Sequence, residues 1–145
     1  LEQSAHYRAV SYPTRASNHF FTCQVCQKRY NASVDKPLVW LGSSKDDLSS
    51  FPKIAKSRAG FALRVLQRGE RPSSTKPIPE VGKGVEEIRI NVGEAYRVFY
   101  VARFEEAVYV LHAFQKKSQK TAKPDLELGQ MRYKQMLELR QRRRQ

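Results

Sequence analysis

The fold is decided by residues 85–114, VEEIRINVGEAYRVFYVARFEEAVYVLHAF, in which three apolar segments follow one another closely. Residues 85–90, 95–102 and 107–114 are rich in β-branched and aromatic side chains, and four residues separate each pair of segments. Such segments are typical of β-strands, and separators this short join antiparallel neighbours. The stretch therefore predicts three consecutive strands of an antiparallel sheet.

The flanking segments add one strand and three helices. An apolar run at residues 36–41 predicts a first strand, and the serines and acidic residues after it predict a short helix. Two further helices are predicted, at residues 52–69 and from residue 124 to about 140, because each segment begins with proline and has apolar residues at helical spacing. The prolines and glycines of residues 69–84 predict a loop. The order β-α-α-β-β-β-α predicts a small α+β domain, with helices packed on one face of a mostly antiparallel sheet.

Composition divides the chain into three zones. Residues 36–140 contain nearly all the periodic apolar patterning, and we expect them to form one domain. Residues 1–35 show no sustained period, so we expect an irregular extension there. One hypothesis is that the native domain begins near Val34. Residues 141–145, Gln-Arg-Arg-Arg-Gln, form a basic tail.

The charge balance indicates a polyanionic partner. The chain has 145 residues, with 27 Lys and Arg against 14 Asp and Glu, which gives a formal net charge of +13. Such an excess favours DNA, RNA or an acidic protein. The hydrophobic content of 40% excludes wholesale disorder, and no run of about 18 apolar residues is present to span a membrane. With two cysteines and no secretory pattern, we expect a cytoplasmic protein.

Charged residues occupy strand positions at which apolar side chains are usual. Glu87 and Arg89 share one side of their strand, and Arg97 and His112 stand on the two strands that follow. If neighbouring strands align their charged sides, these four side chains meet on one surface of the sheet, with lysines at its rim. Strict alternation also puts His112 on the same side as Val108.

Such a cluster suits the chemistry of a phosphodiester. Arginine offers a fixed fork of donors to phosphate oxygens, and a histidine or a carboxylate could move a proton near neutral pH. The aromatic residues Phe99, Tyr109 and Phe114 could stack a base. In the alternative interpretation, the charged side chains only solvate an open sheet face, and His112 is an ordinary hydrogen-bonded histidine.

A metal site has weaker support. Cys23 and Cys26, with His19 four residues before them and His6 further away, resemble half of a zinc site. A closed structural zinc site takes four ligands, and a second clear pair is missing. A phosphate-binding loop of the GxxxxGK[ST] type is also missing from the sequence. We therefore predict neither a metal nor a cofactor.

Four segments of the domain carry a family resemblance. They are residues 36–48 (KPLVWLGSSKDDL), 85–90 (VEEIRI), 95–100 (AYRVFY) and, most specifically, 109–117 (YVLHAFQKK). Together they resemble the RelE/HigB superfamily of toxins from bacterial toxin–antitoxin pairs, and more narrowly its phage-derived HigB-like branch. The resemblance extends from Lys36 to about Arg140.

The resemblance implies a RelE-like fold and ribosome-dependent, metal-independent cleavage of messenger RNA by a 2′-hydroxyl group. By position, Arg97 matches the family's phosphate-binding arginine, and Lys116 or Lys117 matches the basic position that stabilises the leaving oxygen. Glu87 and His112 are the nearby groups suited to acid–base work, and we prefer His112. The predicted catalytic set is His112, Arg97, Glu87 and Lys116, and the predicted RNA contacts are Arg89, Lys117, Lys120, Lys76 and Phe114.

The resemblance also implies partners: a cognate antitoxin of the helix-turn-helix type, the ribosome and messenger RNA. Two alternatives stay open. The same fold hosts ParE-like proteins that inhibit DNA gyrase without catalysis, and a basic domain could simply bind nucleic acid. Alanine at His112 or Arg97 would abolish the toxicity of a nuclease, whereas a gyrase inhibitor would act through its helices or its C-terminus.

Overall fold

A computed structural model describes residues 35–145 of the chain. The strands in this part are β1 (Leu38–Trp40), β2 (Thr75–Pro77), β3 (Val85–Val92), β4 (Glu94–Val101) and β5 (Val108–Lys116). The helices are α1 (Ser44–Ser49) and α2 (Lys53–Gln67), which follow β1, and α3 (Lys123–Arg144), which follows β5. The predicted extension and the Cys/His pattern near the N-terminus lie outside the described residues.

The five described strands form one mixed sheet in the order β1-β5-β4-β3-β2. Its pairings are antiparallel except for β1 with β5, which is parallel. The predicted α+β class and the mostly antiparallel sheet are therefore confirmed. Strand β2 is an addition within the predicted loop 69–84. Its three residues include Pro77, which is tolerated because β2 is an edge strand.

Helices cover both faces of the sheet, so the prediction of helices on one face was wrong. Helices α1 and α2 pack on the face that carries Tyr96, Val98 and Tyr100, whereas α3 packs on the face that carries Phe99 and Val101. The physical reason is visible in β4, where apolar residues occur on both sides of the strand. Such a strand is stable only if both of its faces are removed from water.

A bulge in β5 sets the orientation of its second half. Phe99 lies opposite His112 and Tyr100 lies opposite Val110, so Leu111 is an extra residue in the ladder. The alternation shifts at this point. His112 and Phe114 therefore share the α3 face with Phe99, whereas strict alternation predicts that they lie on the side of Val108.

Helix α3 approaches the sheet closely at Gly129. A Cβ atom at Gly129 would lie 3.0 Å from Cδ2 of Phe99, which is tighter than an ordinary contact. The helix continues to Arg144, so residues 141–144 of the predicted tail extend its last turn. None of the helices between residues 35 and 145 is long and apolar enough to cross a membrane.

The two methionines of α3 test this packing. Met136 is fully buried against the sheet, whereas 49% of Met131 is exposed. We expect Met136→Ala to lower the free energy of unfolding by about 3 kcal/mol, because it removes buried area and leaves a cavity. Met131→Ala should change the free energy of unfolding by less than about 0.5 kcal/mol. Urea unfolding followed by circular dichroism measures both, and equal losses would contradict the assigned packing.

Candidate active site

Strand register brings the charged side chains of three strands onto the α3 face of the sheet. Arg89 lies opposite Arg97 across β3 and β4, and Glu87 lies opposite Phe99. Phe99 in turn lies opposite His112 of β5. The structure thus places Glu87, Arg89, Arg97 and His112 on one surface, which is the arrangement that alignment of their charged sides predicts.

Glu87 is the centre of this surface. It is buried, and its two carboxylate oxygens face different arginines. Oε1 lies 3.9 Å from Nε of Arg89, and Oε2 lies 3.9 Å from Nε of Arg97. Oε2 of Glu87 and Nε of Arg97 are buried and make no hydrogen bond with any described residue. A carboxylate and a guanidinium in this state retain the capacity to bind a polar group that enters between them.

The two arginines differ in their access to solvent. The Arg97 side chain is only 5% exposed, and its Nη1 atom donates to the backbone oxygen of Tyr96 at 2.8 Å and to Oδ1 of Asn91 at 3.3 Å. Burial lowers the pKa of Arg97, while the charge of Glu87 opposes this shift. The Arg89 side chain is 48% exposed. Arg89 can therefore meet a phosphate from solution, whereas Arg97 holds Glu87 from beneath.

A cationic cleft opens beside Glu87. It has a volume of about 500 Å³ and lies between the β2–β3 loop, the end of β5 and the start of α3. Three lysines line it: Lys76, Lys116 and Lys120. Glu87 also lines this cleft, so the buried carboxylate and the lysines face the same space. Lys117 is exposed and does not line the cleft.

His112 is held between two charged partners of α3. Its Nε2 atom lies 2.8 Å from Oδ1 of Asp125, and its Nδ1 atom lies 3.4 Å from Nη1 of Arg132. A guanidinium only donates hydrogen bonds, so Nδ1 accepts and the ring carries its proton on Nε2, which donates to Asp125. Both ring nitrogens are thereby engaged, and the side chain is only 7% exposed.

Arg132 joins three elements at this position, and the sequence analysis missed it. Its Nη1 atom donates to the backbone oxygen of Leu111 at 2.9 Å, and its Nη2 atom donates to Oγ of Ser43 at 2.8 Å. The Ser43 hydroxyl donates to Asp47 at 2.9 Å. Burial lowers the pKa of Arg132, while the charge of Asp47 opposes this shift.

Gly42 makes room for this guanidinium. Its φ of +56° favours glycine, and a Cβ atom there would lie 2.7 Å from Nε of Arg132. A sequence signal for Arg132 did exist, because it precedes the buried Met136 by four residues and so shares its helix face.

The aromatic residues that could have stacked a base lie in the core. Phe99 and Tyr109 are fully buried, and Phe114 is only 8% exposed. The Phe114 ring stacks on His112 with a centroid distance of 4.9 Å and meets the edge of Phe99 at 5.1 Å. Their contribution is to support the charged surface from below, because side chains packed in this way have no open face for a base.

Comparison with known proteins identifies the family. Residues 46–134 match the family described as phage-derived protein Gp49-like (DUF891). This span is more than half of the chain and includes β2 to β5 with every charged residue of the sheet surface. The chain belongs to the Gp49-like family. No curated protein shows significant similarity to the chain.

The residues matched to the Gp49-like family also contain most of the polar network beneath His112. Asp47, Asp125 and Arg132 lie within the matched residues, whereas Gly42 and Ser43 precede them. The phage-derived character that the resemblance implied is thus confirmed at the level of the family. Between residues 35 and 145, no group of three or more His, Cys, Asp or Glu side chains could hold a metal ion.

Proposed function

We propose that this Gp49-like protein is the toxin of a type II toxin–antitoxin pair and cleaves messenger RNA on the ribosome by metal-independent transesterification. The observation that carries the proposal is the buried Glu87 carboxylate, which opens onto a lysine-lined cleft and has a guanidinium on either side. Membership of a phage-derived family that resembles RelE/HigB toxins supports it, as does the net charge of +13.

The proposed reaction requires one base and one acid. Glu87 accepts the proton of the ribose 2′-hydroxyl, whose oxygen then forms a bond to the adjacent phosphorus. The bond between phosphorus and the 5′-oxygen of the next nucleotide breaks, and Lys116 gives its proton to that oxygen. The products are a 2′,3′-cyclic phosphate and a 5′-hydroxyl. General acid and base groups placed in this way contribute about 10²- to 10⁴-fold each.

Positive charge around the cleft would stabilise the transition state. The phosphorane gains negative charge on its equatorial oxygens, and the exposed Arg89 can donate two hydrogen bonds to them. Lys76 and Lys120 line the same cleft and would bind the flanking phosphates. Arg97 is a positioning residue in this scheme, because it acts on the Glu87 carboxylate from the buried side.

We assign the base to Glu87, although the sequence alone favours His112. Nε2 of His112 donates its hydrogen bond to Asp125, and Nδ1 faces the guanidinium of Arg132. Proton transfer by His112 would therefore break both contacts. His112 would instead hold the start of α3 in place against β5. It links β5 to Asp125 in the first turn of α3, and the connection between these elements carries Lys120 of the cleft.

The proposal predicts the chemistry of the products. We expect the full chain, added to ribosomes translating a defined message, to yield fragments that end in a 2′,3′-cyclic phosphate and begin with a 5′-hydroxyl. The cuts should fall within translated codons, and primer extension maps them. Lys116→Ala should slow cleavage by about 100-fold, and Lys117→Ala, outside the cleft, should change it far less.

Other outcomes would exclude the nuclease. Growth arrest with an intact message would favour a ParE-like inhibitor of DNA gyrase. An absence of toxicity, together with salt-dependent RNA binding, would leave a non-catalytic nucleic-acid-binding domain. Equal effects of Lys116→Ala and Lys117→Ala would contradict the role of the cleft.

A further inference from the structure

Helix α2 exposes a stripe of large side chains that the fold does not use. Ile54 is 63% exposed and Phe61 is 72% exposed. They lie seven residues apart, with Arg58 between them, and therefore project from the same side of the helix. Isolated exposed apolar residues are ordinary on protein surfaces, whereas an aligned pair beside a groove is a candidate docking surface.

The groove lies between this stripe and the open end of β3. It has a volume of about 580 Å³ and is lined on one side by Phe61 and Val65 of α2. Strand β2 pairs with β3 as far as Ile88, and the backbone N–H of Arg89 donates to the backbone oxygen of Ser74 at 2.8 Å, so residues 90–92 form the open edge of the described sheet. Arg58 bridges the groove, since its Nη1 atom donates to the backbone oxygen of Asn91 at 3.2 Å.

The charges of the groove select the kind of occupant. Its lining includes Arg58, Arg71 and Arg89. Arg71 pairs with Glu86 at 2.8 Å and Arg89 lies on the same face as Glu87, whereas Arg58 is exposed and makes no ion pair with a described carboxylate. A guanidinium with free donors beside an exposed aromatic residue is complementary to an acidic segment with an apolar anchor. Residues 1–34 of the chain carry four basic residues and only Glu2 as an acid, so charge does not favour them as the occupant.

We propose that this groove binds an acidic segment of a partner protein, which places an apolar side chain against Phe61. The identification of that partner as the antitoxin rests on the proposed function, but the docking itself does not. Arg58 would pair with a carboxylate of that segment, while Phe61 would receive its apolar side chain.

A selection from random peptides tests the proposal. The full chain is immobilised, a displayed library of random 16-residue peptides is selected on it, and enriched peptides are synthesised with a fluorescent label. We expect enriched sequences with Asp or Glu on both sides of an aromatic residue or leucine. Phe61→Asp and Arg58→Glu should each weaken binding by about 30-fold or more, as for the central residues of an interface.

Matched controls distinguish binding at the groove from nonspecific binding of peptides, and they test the groove independently of the proposed nuclease activity. Met131→Asp changes another exposed apolar residue, on α3, and should leave peptide affinity within about twofold. Failure to enrich peptides, enrichment without acidic residues, or equal binding to the Phe61→Asp and Met131→Asp variants would overturn the proposal. The proposal would also be overturned if Phe61→Asp and Arg58→Glu lowered the affinity for a single-stranded RNA oligonucleotide as much as they lower the affinity for the peptides. Message cleavage by these free variants should be unchanged, and absence of cleavage by the wild type would defeat only the proposed nuclease.

Discussion

Replacing Glu87 with glutamine is expected to lower the rate of message cleavage by about 10²- to 10⁴-fold. The change keeps the shape of the side chain but removes the only carboxylate placed between Arg89 and Arg97 in the described chain. It also removes a negative charge from the cleft, so binding of RNA should become tighter. Cleavage and binding are therefore expected to change in opposite directions, which a loss of folding cannot produce. Single-turnover cleavage and fluorescence anisotropy measure the two quantities.

Glu80→Gln supplies the matched control. Glu80 lines the same cleft but is exposed and has no arginine partner among the described residues. Its substitution removes the same charge and should tighten RNA binding without slowing cleavage. If both variants cleave at the wild-type rate, Glu87 is only the counter-charge of its arginines, and the base must be sought elsewhere. Thermal melts establish that both variants are folded at the assay temperature, because Glu87→Gln leaves Arg97 with a weaker partner.

Much of the sheet and of its charged surface could be predicted, because both depend on local features of the sequence. The three apolar segments of residues 85–114 indicated β3, β4 and β5, and the two-residue repeat of a strand put Glu87 and Arg89 on one side of β3. The bulge at Leu111 could not be predicted in this way. An extra residue in one strand depends on packing across the ladder, and it reverses the side on which every later residue points.

The orientation of α2 shows a second limit of prediction from the sequence. Helical periodicity indicated the helix, but two adjacent stripes, one with Ile54 and Phe61 and one with Ala55 and Ala62, fit a buried face about equally well. In the structure the alanine stripe is buried against a sheet face that carries two tyrosines, Tyr96 and Tyr100. Small side chains let the helix approach large ones, so residue volume on the opposing strand decided the outcome.

The polar network under His112 shows a third limit of prediction from the sequence. Helix α3 is so basic that Arg132 looks like one more solvated charge, and its partners at Ser43 and Leu111 are distant in sequence. Long-range partners of a buried charge follow from tertiary structure, since no local pattern specifies them. The same network explains why the preferred role of His112 shifts from acid–base chemistry to position: its surroundings, not its residue type, fix where its proton lies.

Arg132→Ala should cause the largest loss of stability predicted for this chain, a decrease of about 4 kcal/mol in the free energy of unfolding. Each buried polar group that is left without its hydrogen-bond partner costs about 1–3 kcal/mol. Here the backbone oxygen of Leu111 and Nδ1 of His112, both buried, lose the same guanidinium, whereas Oγ of the exposed Ser43 can bond to water. Arg132→Lys should recover only part of the loss, since one ammonium cannot span three acceptors in the geometry of a planar fork.

Chemical denaturation with urea checks this expectation, and Lys134→Ala is its control. Lys134 is exposed on the same helix and carries the same charge, so its removal should change the free energy of unfolding by less than about 0.5 kcal/mol. A loss below about 1 kcal/mol in Arg132→Ala would mean that water replaces the guanidinium at little cost. In that case the contact with Arg132 would do little to fix the tautomer of His112, and His112 would again be a candidate for the catalytic base, as the sequence alone suggested.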